Sequence, residues 1–237
     1  MKRLKKMKTI TIRLASPLQS FGNEATFSHR TTELYPTKSL IVGMLAASLG
    51  YRRDDSRINQ LNNLQIAVRI DQPGKVLTDF QTVEFKPDTR KLTYRNYLQD
   101  GVFIVAISAH DKTIDKLKYA LLHPKFQLYI GRRSNPIAGV LKINEFDDDA
   151  LKVLKKLDWQ ASEWYQKKYK SEEYFAEIIA DASLSKNNSG SLVKDAVGSF
   201  NQHSRFHDYR AVVNVHVSLK NKFYQEHSTK HDIFNAI

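Results

Sequence analysis

RLASPLQSFGNEATFSHRTTELYPTKSLIVGMLAASLGYRRDD, residues 13–55, holds the clearest local signals in the chain. It reads as the end of a buried strand, a polar loop broken by proline and glycine, and one amphipathic helix. Pro36 and Thr37 stand where an entry turn and an N-cap belong, and Gly50 stands at the usual C-terminal stop. Leu40, Ile41, Met44, Leu45 and Leu49 recur at helical spacing, so the helix Lys38–Leu49 carries one core face. Its first turn offers Thr37, Lys38 and Ser39 beside free backbone N–H groups. Dipole, amides, hydroxyls and an ammonium converge there, which suits an anion such as phosphate. An ordinary capped helix has the same pattern.

On either side of this helix the chain alternates like half-buried strands. Lys8–Leu14 sets Ile10, Ile12 and Leu14 against Thr9, Thr11 and Arg13, and Gln65–Asp71 does the same through Ile66, Val68 and Ile70. Asp71–Gly74 is turn chemistry. Val102–Ile107 is a continuous apolar run that suits a central strand, and Asp111 or Thr113 can cap a helix ending near His123 and Pro124. Phe126, Leu128 and Ile130 then mark a fourth strand. The order β-α-β, insertion, β-α-β predicts an α+β fold of the ferredoxin-like (RRM-like) βαββαβ type. In that plan two helices cover one sheet face and leave the other free for a partner. Val102–Ile107 lacks the glycine-aromatic signature of RNA-recognition strands, so any RNA contact is expected from loops and helix ends.

The domain reading is therefore residues 1–138, with an insertion at about 75–100, and a smaller, partly β region at residues 139–237 packed against it. In the latter, Gly139–Ile143 reads as a short strand, Asp147–Leu157 and Ser171–Asp181 as helices, and Arg210–Leu219 as a strand. Trp159 and Trp164 read as core or interface anchors, the stretch SLSKNNSGS (183–191) as a loop, and the last residues as a fraying end.

Bulk properties narrow the function. The net charge is +12, yet residues 1–135 hold 23 Lys and Arg against 11 Asp and Glu, whereas residues 136–237 hold 14 of each. A basic first part beside a neutral remainder points to a polyanion, most simply nucleic acid. There is no cysteine, which excludes disulfides and thiolate metal sites and suits a reducing cytoplasm. No apolar run reaches membrane-spanning length, and Met7 offers an alternative start behind a basic extension. Within the insertion, Lys86, Arg90, Lys91, Tyr94, Arg95 and Tyr97 interleave cations with rings, the equipment of single-strand binding. Gly131, Arg132, Arg133 and Ser134 combine a permissive backbone position, two guanidiniums and a hydroxyl, a second phosphate-binding combination.

Several motifs occur together in a recognisable order: LASPLQSFG (14–22), Arg30, YPTKSLIVGMLAASLG (35–50), RRDD (52–55), VRID (68–71), DFQTV (79–83), YRNYLQD (94–100) and YIGRRSNP (129–136). Over these first 135 or so residues the chain resembles the CasD family, subunits of the type I-E CRISPR surveillance complex, Cascade. The resemblance implies a non-catalytic protein that holds the five-prime handle of the guide RNA and contacts a backbone subunit and the large subunit. It would meet target DNA only indirectly, and need neither cofactor, metal nor membrane. It implies that the insertion is the family's protruding β-hairpin, or thumb. It also implies that Gln19, Arg30, Thr37, Lys38, Ser39, Tyr94, Arg95, Tyr97, Arg132, Arg133 and Ser134 face RNA. Ser134-Asn135-Pro136 stands where the family usually has Ser-Cys-Pro. If the insertion is extended near residue 95, Arg95 is expected to face away from both tyrosine rings.

The alternative is a metal-independent endoribonuclease acting on CRISPR precursor RNA. It would need a base for the ribose hydroxyl, an acid for the leaving group and a cation for the phosphorane. Tyr35, Lys38, His29, His203 and His207 are the candidates, without an evident constellation. The pairs His203/His207 and His227/His231 have helical spacing but no carboxylate partner at motif distance, so surface roles are expected.

Overall fold

Ile10, Ile12 and Leu14 are completely buried, and the strand they anchor, β1 (Met7–Ala15), pairs on both sides. The computed structural model describes residues 7–22, 28–185 and 190–225. The basic extension ahead of Met7, the pair His227/His231, the C-terminal end and the middle of the 183–191 loop lie outside them. After β1 come β2 (Leu18–Gln19), β3 (His29–Arg30), α1 (Lys38–Leu49), α2 (Arg57–Gln60) and β4 (Gln65–Gln72). A long hairpin follows, β5 (Lys75–Lys86) and β6 (Thr89–Gln99), then β7 (Val102–His110), α3 (Asp111–Leu122) and β8 (Ile143–Phe146). The chain ends with α4 (Ala150–Lys156), α5 (Glu163–Lys168), β9 (Glu173–Asp181), β10 (Ser191–Ser199) and β11 (Phe206–Lys220).

Seven strands form one sheet in the order β10-β11-β9-β4-β7-β1-β8, and every neighbouring pair is antiparallel. Strands from both sides of residue 138 share this sheet, because β9 pairs with β4 through Ala67↔Ala180, Val68↔Ile179 and Arg69↔Ile178. The expected strand at 126–130 does not form. Lys125 and Phe126 instead donate their backbone N–H groups to the Ser48 and Ala47 carbonyls in the last turn of α1. The edge position beside β1 goes to β8, a few residues beyond the short strand expected at 139–143.

The expected helix at 171–181 is strand β9. Its composition, rich in Glu and Ala, favours a helix, but Tyr174, Ala176, Ile178 and Ala180 alternate and bury one face. An open edge of β4 on one side and β11 on the other decide the outcome. The helix expected at 147–157 is shorter, with the Asp149 carboxylate capping Lys152 N at 2.9 Å.

Both faces of the β4-β7-β1 part of the sheet are covered, so the open face expected there is not left free, whereas Phe175, Asn214, His216 and Ser218 of β9 and β11 are exposed on one face. On one side of the covered part, Ile41, Leu45, Ile114 and Leu117 of α1 and α3 pack on Ile10, Ile12, Val68, Phe103 and Val105. On the other, Leu151 and Leu154 of α4 pack on Ala67, Ile104, Ala106, Ile178 and Ala180, where four alanines (these three and Ala150) keep the layer thin. Trp159, Tyr174 and Leu219 extend this second layer, while Trp164 is exposed. The VRID motif serves this face. Arg69 and Asp71, both fully buried, form a two-pronged pair, and Arg69 also donates to the carbonyls of Leu154, Leu157 and Asp158. Burying that guanidinium is tolerable only because all of its donors near the loop find acceptors.

Helix α1 starts and stops as its sequence specifies: Thr37 Oγ1 accepts from Leu40 N, and Gly50 sits at φ 79°. It is buried on more than one face, however, since Val42, Ala46 and Ser48 are covered as well. Strand β10 closes one end of the sheet, and Asn62 lies against its outer edge. The Asn62 amide accepts from Val197 N at 3.1 Å and donates to Val197 O at 2.7 Å, satisfying both groups as a next strand would.

Candidate nucleic-acid interface

The hairpin β5–β6 opens beside the sheet, with a turn at Pro87–Asp88 where Asp88 adopts φ 58°. Its base is held by two short strands from the 13–36 segment. β2 pairs antiparallel with β6 at Leu18↔Gln99, and β3 pairs parallel through His29↔Tyr94 and Arg30↔Arg95. Side chains at paired positions share a face. The His29 and Tyr94 rings accordingly stack, with centroids 5.4 Å apart, and Arg30 stands beside Arg95.

Alternation along β6 corrects the expectation for Arg95. Residues 95 and 97 share one face, and Tyr94 lies on the other. Arg95 thus stands on the side of Tyr97, not away from both rings. Tyr97 is also buried, at 8% exposure, with the Arg132 guanidinium 4.2 Å from its ring centre. Arg95 Nε and Arg132 Nη1 are buried atoms with no hydrogen-bond partner in the chain.

Arg132 owes its position to a tight loop. Ile130 N donates to Asn135 O, Asn135 N to Arg132 O, and the Asn135 side chain to Ile130 O. Asn135, at the family's cysteine position, is therefore a buried brace. Gly131 has φ 89°, and a Cβ there would collide with the Ser20 carbonyl, so only glycine lets the loop close on the 16–22 segment. Arg133 and Ser134 project from the loop into solvent.

Between this loop, β3 and α1 lies a groove of about 1250 Å³. Arg30, Arg52, Arg53, Arg132, Lys194 and Arg205 line it, and Asp54 is the one carboxylate among its described lining residues. Lys194 and Arg205 come from the β10–β11 region. The sequence reading missed them because they belong to the charge-balanced part of the chain. Phe200, from the same region, packs over Gly43 of α1, 3.5 Å from where a Cβ would stand.

The start of α1 is not the open anion site that the sequence suggests. Lys38 N donates to the Asp195 carboxylate at 2.8 Å, so the helix dipole already meets an anion of this chain. Lys38 Nζ is buried on Asp181 at 3.0 Å and Leu64 O at 3.1 Å. Arg210 joins both carboxylates, at 2.8 Å from Asp181 and 2.6 Å from Asp195. Burial pulls the Arg210 pKa down, but the two carboxylates outweigh it and leave it raised. Thr37 and Ser39 border the groove, yet they are almost wholly buried and hydrogen-bond to each other. Gln19 is turned inward by the β2 pairing, donating to Gly101 O at 2.6 Å with no exposed surface.

Of the residues expected to face RNA, Arg30, Arg95 and Arg132 gather on one side with Tyr97 behind them, and Tyr94 stands on the opposite face of the hairpin. Lys38 and Gln19 are structural. Among the nuclease candidates, burial raises the Tyr35 pKa, and burial together with Arg205 lowers that of His207. Among the described residues no cluster of His, Asp or Glu could hold a metal ion. No helix among the described residues is long and apolar enough to cross a membrane.

A family model described as CRISPR-associated protein (Cas_Cas5) matches residues 9–214. The CRISPR system Cascade subunit CasD of Escherichia coli (strain K12) is 36% identical over 153 residues, 56% of this chain and 68% of that protein. A solved chain titled "CRISPR RNA-guided surveillance complex" superposes with a TM-score of 0.69 at 26% identity, covering 91% of this chain and 92% of that one. Another, titled "Crystal structure of Cas protein", gives 0.64 at 28% identity over 91% and 97%.

Proposed function

Because the chain belongs to the Cas5 family of CRISPR-associated proteins, we propose that it is the Cascade subunit that holds the five-prime handle of the guide RNA. The observation that carries this reading is the convergence of Arg30, Arg95 and Arg132, from three separate segments, beside a groove with a strong excess of cations. Two of these arginines present buried, unpartnered nitrogens. Guanidinium groups with spare donors suit the paired oxygens of a phosphodiester.

In this reading the strands β8-β1-β7-β4, with α1 and α3 on one face, are a ferredoxin-like unit whose order follows the split βαβ plan. The β5–β6 hairpin is the thumb. Val76, Phe80, Leu92 and Tyr94 share one face and are the more exposed apolar set, whereas Arg95 lies on the other with Leu77 and Val83. The apolar face suits a protein neighbour, which we read as the backbone subunit, with the large subunit on another surface and target DNA met only through the assembly. The protein acts in the cytoplasm and without catalysis. The commitment of Lys38 to Asp181, and the raised pKa of Tyr35, support a binding role over cleavage.

Co-purification tests the whole reading. Tagged protein expressed with its neighbouring genes should carry a guide RNA and the other Cascade subunits. Recovery of the chain alone, or with RNA lacking the repeat-derived handle, would count against it. Precursor repeat RNA should stay intact with the purified protein, with or without divalent metal.

A further inference from the structure

The groove has a second wall, and nothing in the family match or the motifs assigns it a role. Residues 194–207 reach the far side of α1 and contribute Lys194, Arg205 and His207 to the lining. They come from the half of the chain whose charges balance, so a generally basic surface does not account for them. His207 lies opposite Val197, a core residue that packs towards α1, and cross-strand partners share a face. The imidazole is thereby turned to the groove side of the sheet. Its Nε2 is buried and has no hydrogen-bond partner in the chain. A buried polar atom left without a partner costs about 1–3 kcal/mol, and a ligand in the groove would relieve that cost.

We propose that Lys194, Arg205 and His207 form a second phosphate clamp, gripping the RNA strand from the side of α1 opposite Arg30 and Arg132. The inference rests on the guide-RNA reading above. It gives the C-terminal region a direct share in binding, with the strand held between two cationic walls and the α1 helix as the floor. Phe200, seated on Gly43, and the exposed Phe206 offer ring faces beside the clamp. The site therefore takes a single-stranded polynucleotide, with cations on phosphates and rings on bases, in preference to an inorganic anion.

The charged groups around His207 are Arg205, Asp195, Lys194 and Asp208. Burial, then Arg205, hold its pKa below the usual imidazole range, so the free protein carries it neutral at neutral pH. A phosphate at Nε2 favours the protonated ring. Binding then takes up a proton, and affinity rises as the pH falls from 8 towards 6.

The test is the affinity of the full chain for single-stranded repeat RNA at several salt concentrations, alongside thermal melting. Lys194 and Arg205 are exposed, so the variant combining Lys194→Ala with Arg205→Ala should melt like the parent. It should bind RNA about tenfold or more weakly. Its slope of log affinity against log salt should be shallower by about 1.4, two single-strand phosphate contacts. His207→Gln should keep the affinity measured at pH 8 and lose the gain on acidification. Inorganic phosphate at matched ionic strength should compete poorly. If Arg132→Ala weakens binding while the double variant keeps its affinity and salt slope, the second clamp is wrong and the guide-RNA reading stands. If the parent itself fails to bind repeat RNA, both fall. An unchanged pH response in His207→Gln removes the histidine from the clamp.

Discussion

Arg95 and Tyr97 differ in what their loss should do, although they share a face of the hairpin. Arg95 is half-buried and its Nε lacks a partner, so Arg95→Ala should cost roughly 1.5–3 kcal/mol of RNA affinity and leave melting unchanged. Tyr97 is nearly covered and carries the Arg132 guanidinium on its ring. Tyr97→Ala should therefore cost stability as well, about 3 kcal/mol, and lower affinity by releasing Arg132. Affinity measured beside thermal melting separates the two, and a Tyr97→Ala protein as stable as its parent would contradict the packing. Residue types were legible here and their orientation was not. A spacing of three puts Tyr94 and Tyr97 on opposite sides of a strand, which the expectation for Arg95 overlooked. Lys38 shows another limit: its partner Asp181 lies 143 residues away, and no local pattern announces it.

Elements show where local signals suffice. Helix α1 was legible to its ends, because a cap and a stop are local chemistry. Strand β9 was misread because its partners, β4 and β11, are remote in sequence and override a composition that favours a helix. The same remoteness hid the brace between α1 and the C-terminal strands. Asp195→Ala would leave Arg210 with half its pairing and the first turn of α1 without its anion. A loss of about 3–5 kcal/mol is expected, read by denaturant unfolding. Strand β8 has a pH-dependent tie. Lys118 and Lys8, at 2.8 and 2.9 Å, lower the Glu145 pKa from 4.5 to about 2. A carboxylate with a lower pKa when folded stabilises fully above its unfolded value and loses that contribution as the pH falls towards 2. The parent should thus exceed Glu145→Gln in stability at pH 6, and the two should converge near pH 2. Parallel curves across that range would remove Glu145 from the account.

For the whole molecule, the uneven charge along the sequence proved a partial guide to the surface. It points to the part of the chain that supplies Arg30 and Arg132 to the groove. It could not show that one sheet brings Lys194 and Arg205 round to the same groove. Charge reversal at Arg132 and Arg133 should weaken repeat-RNA binding steeply and flatten its salt dependence. Reversal at Lys167 and Lys168 should do little, since Lys167 already pairs with Glu163 at 2.5 Å, away from the groove. Equal losses from the two pairs would mean that the charge serves solubility alone.

Asn62 has a consequence for how copies of the chain behave towards one another. A sheet whose last strand is open can recruit the same strand of a neighbour and grow without limit. At Val197 that opportunity is already taken, by a side chain that imitates the missing strand and cannot itself be extended. At that point this end of the sheet is a terminus, not a template. The chain is protected there from pairing edge to edge with a copy of itself.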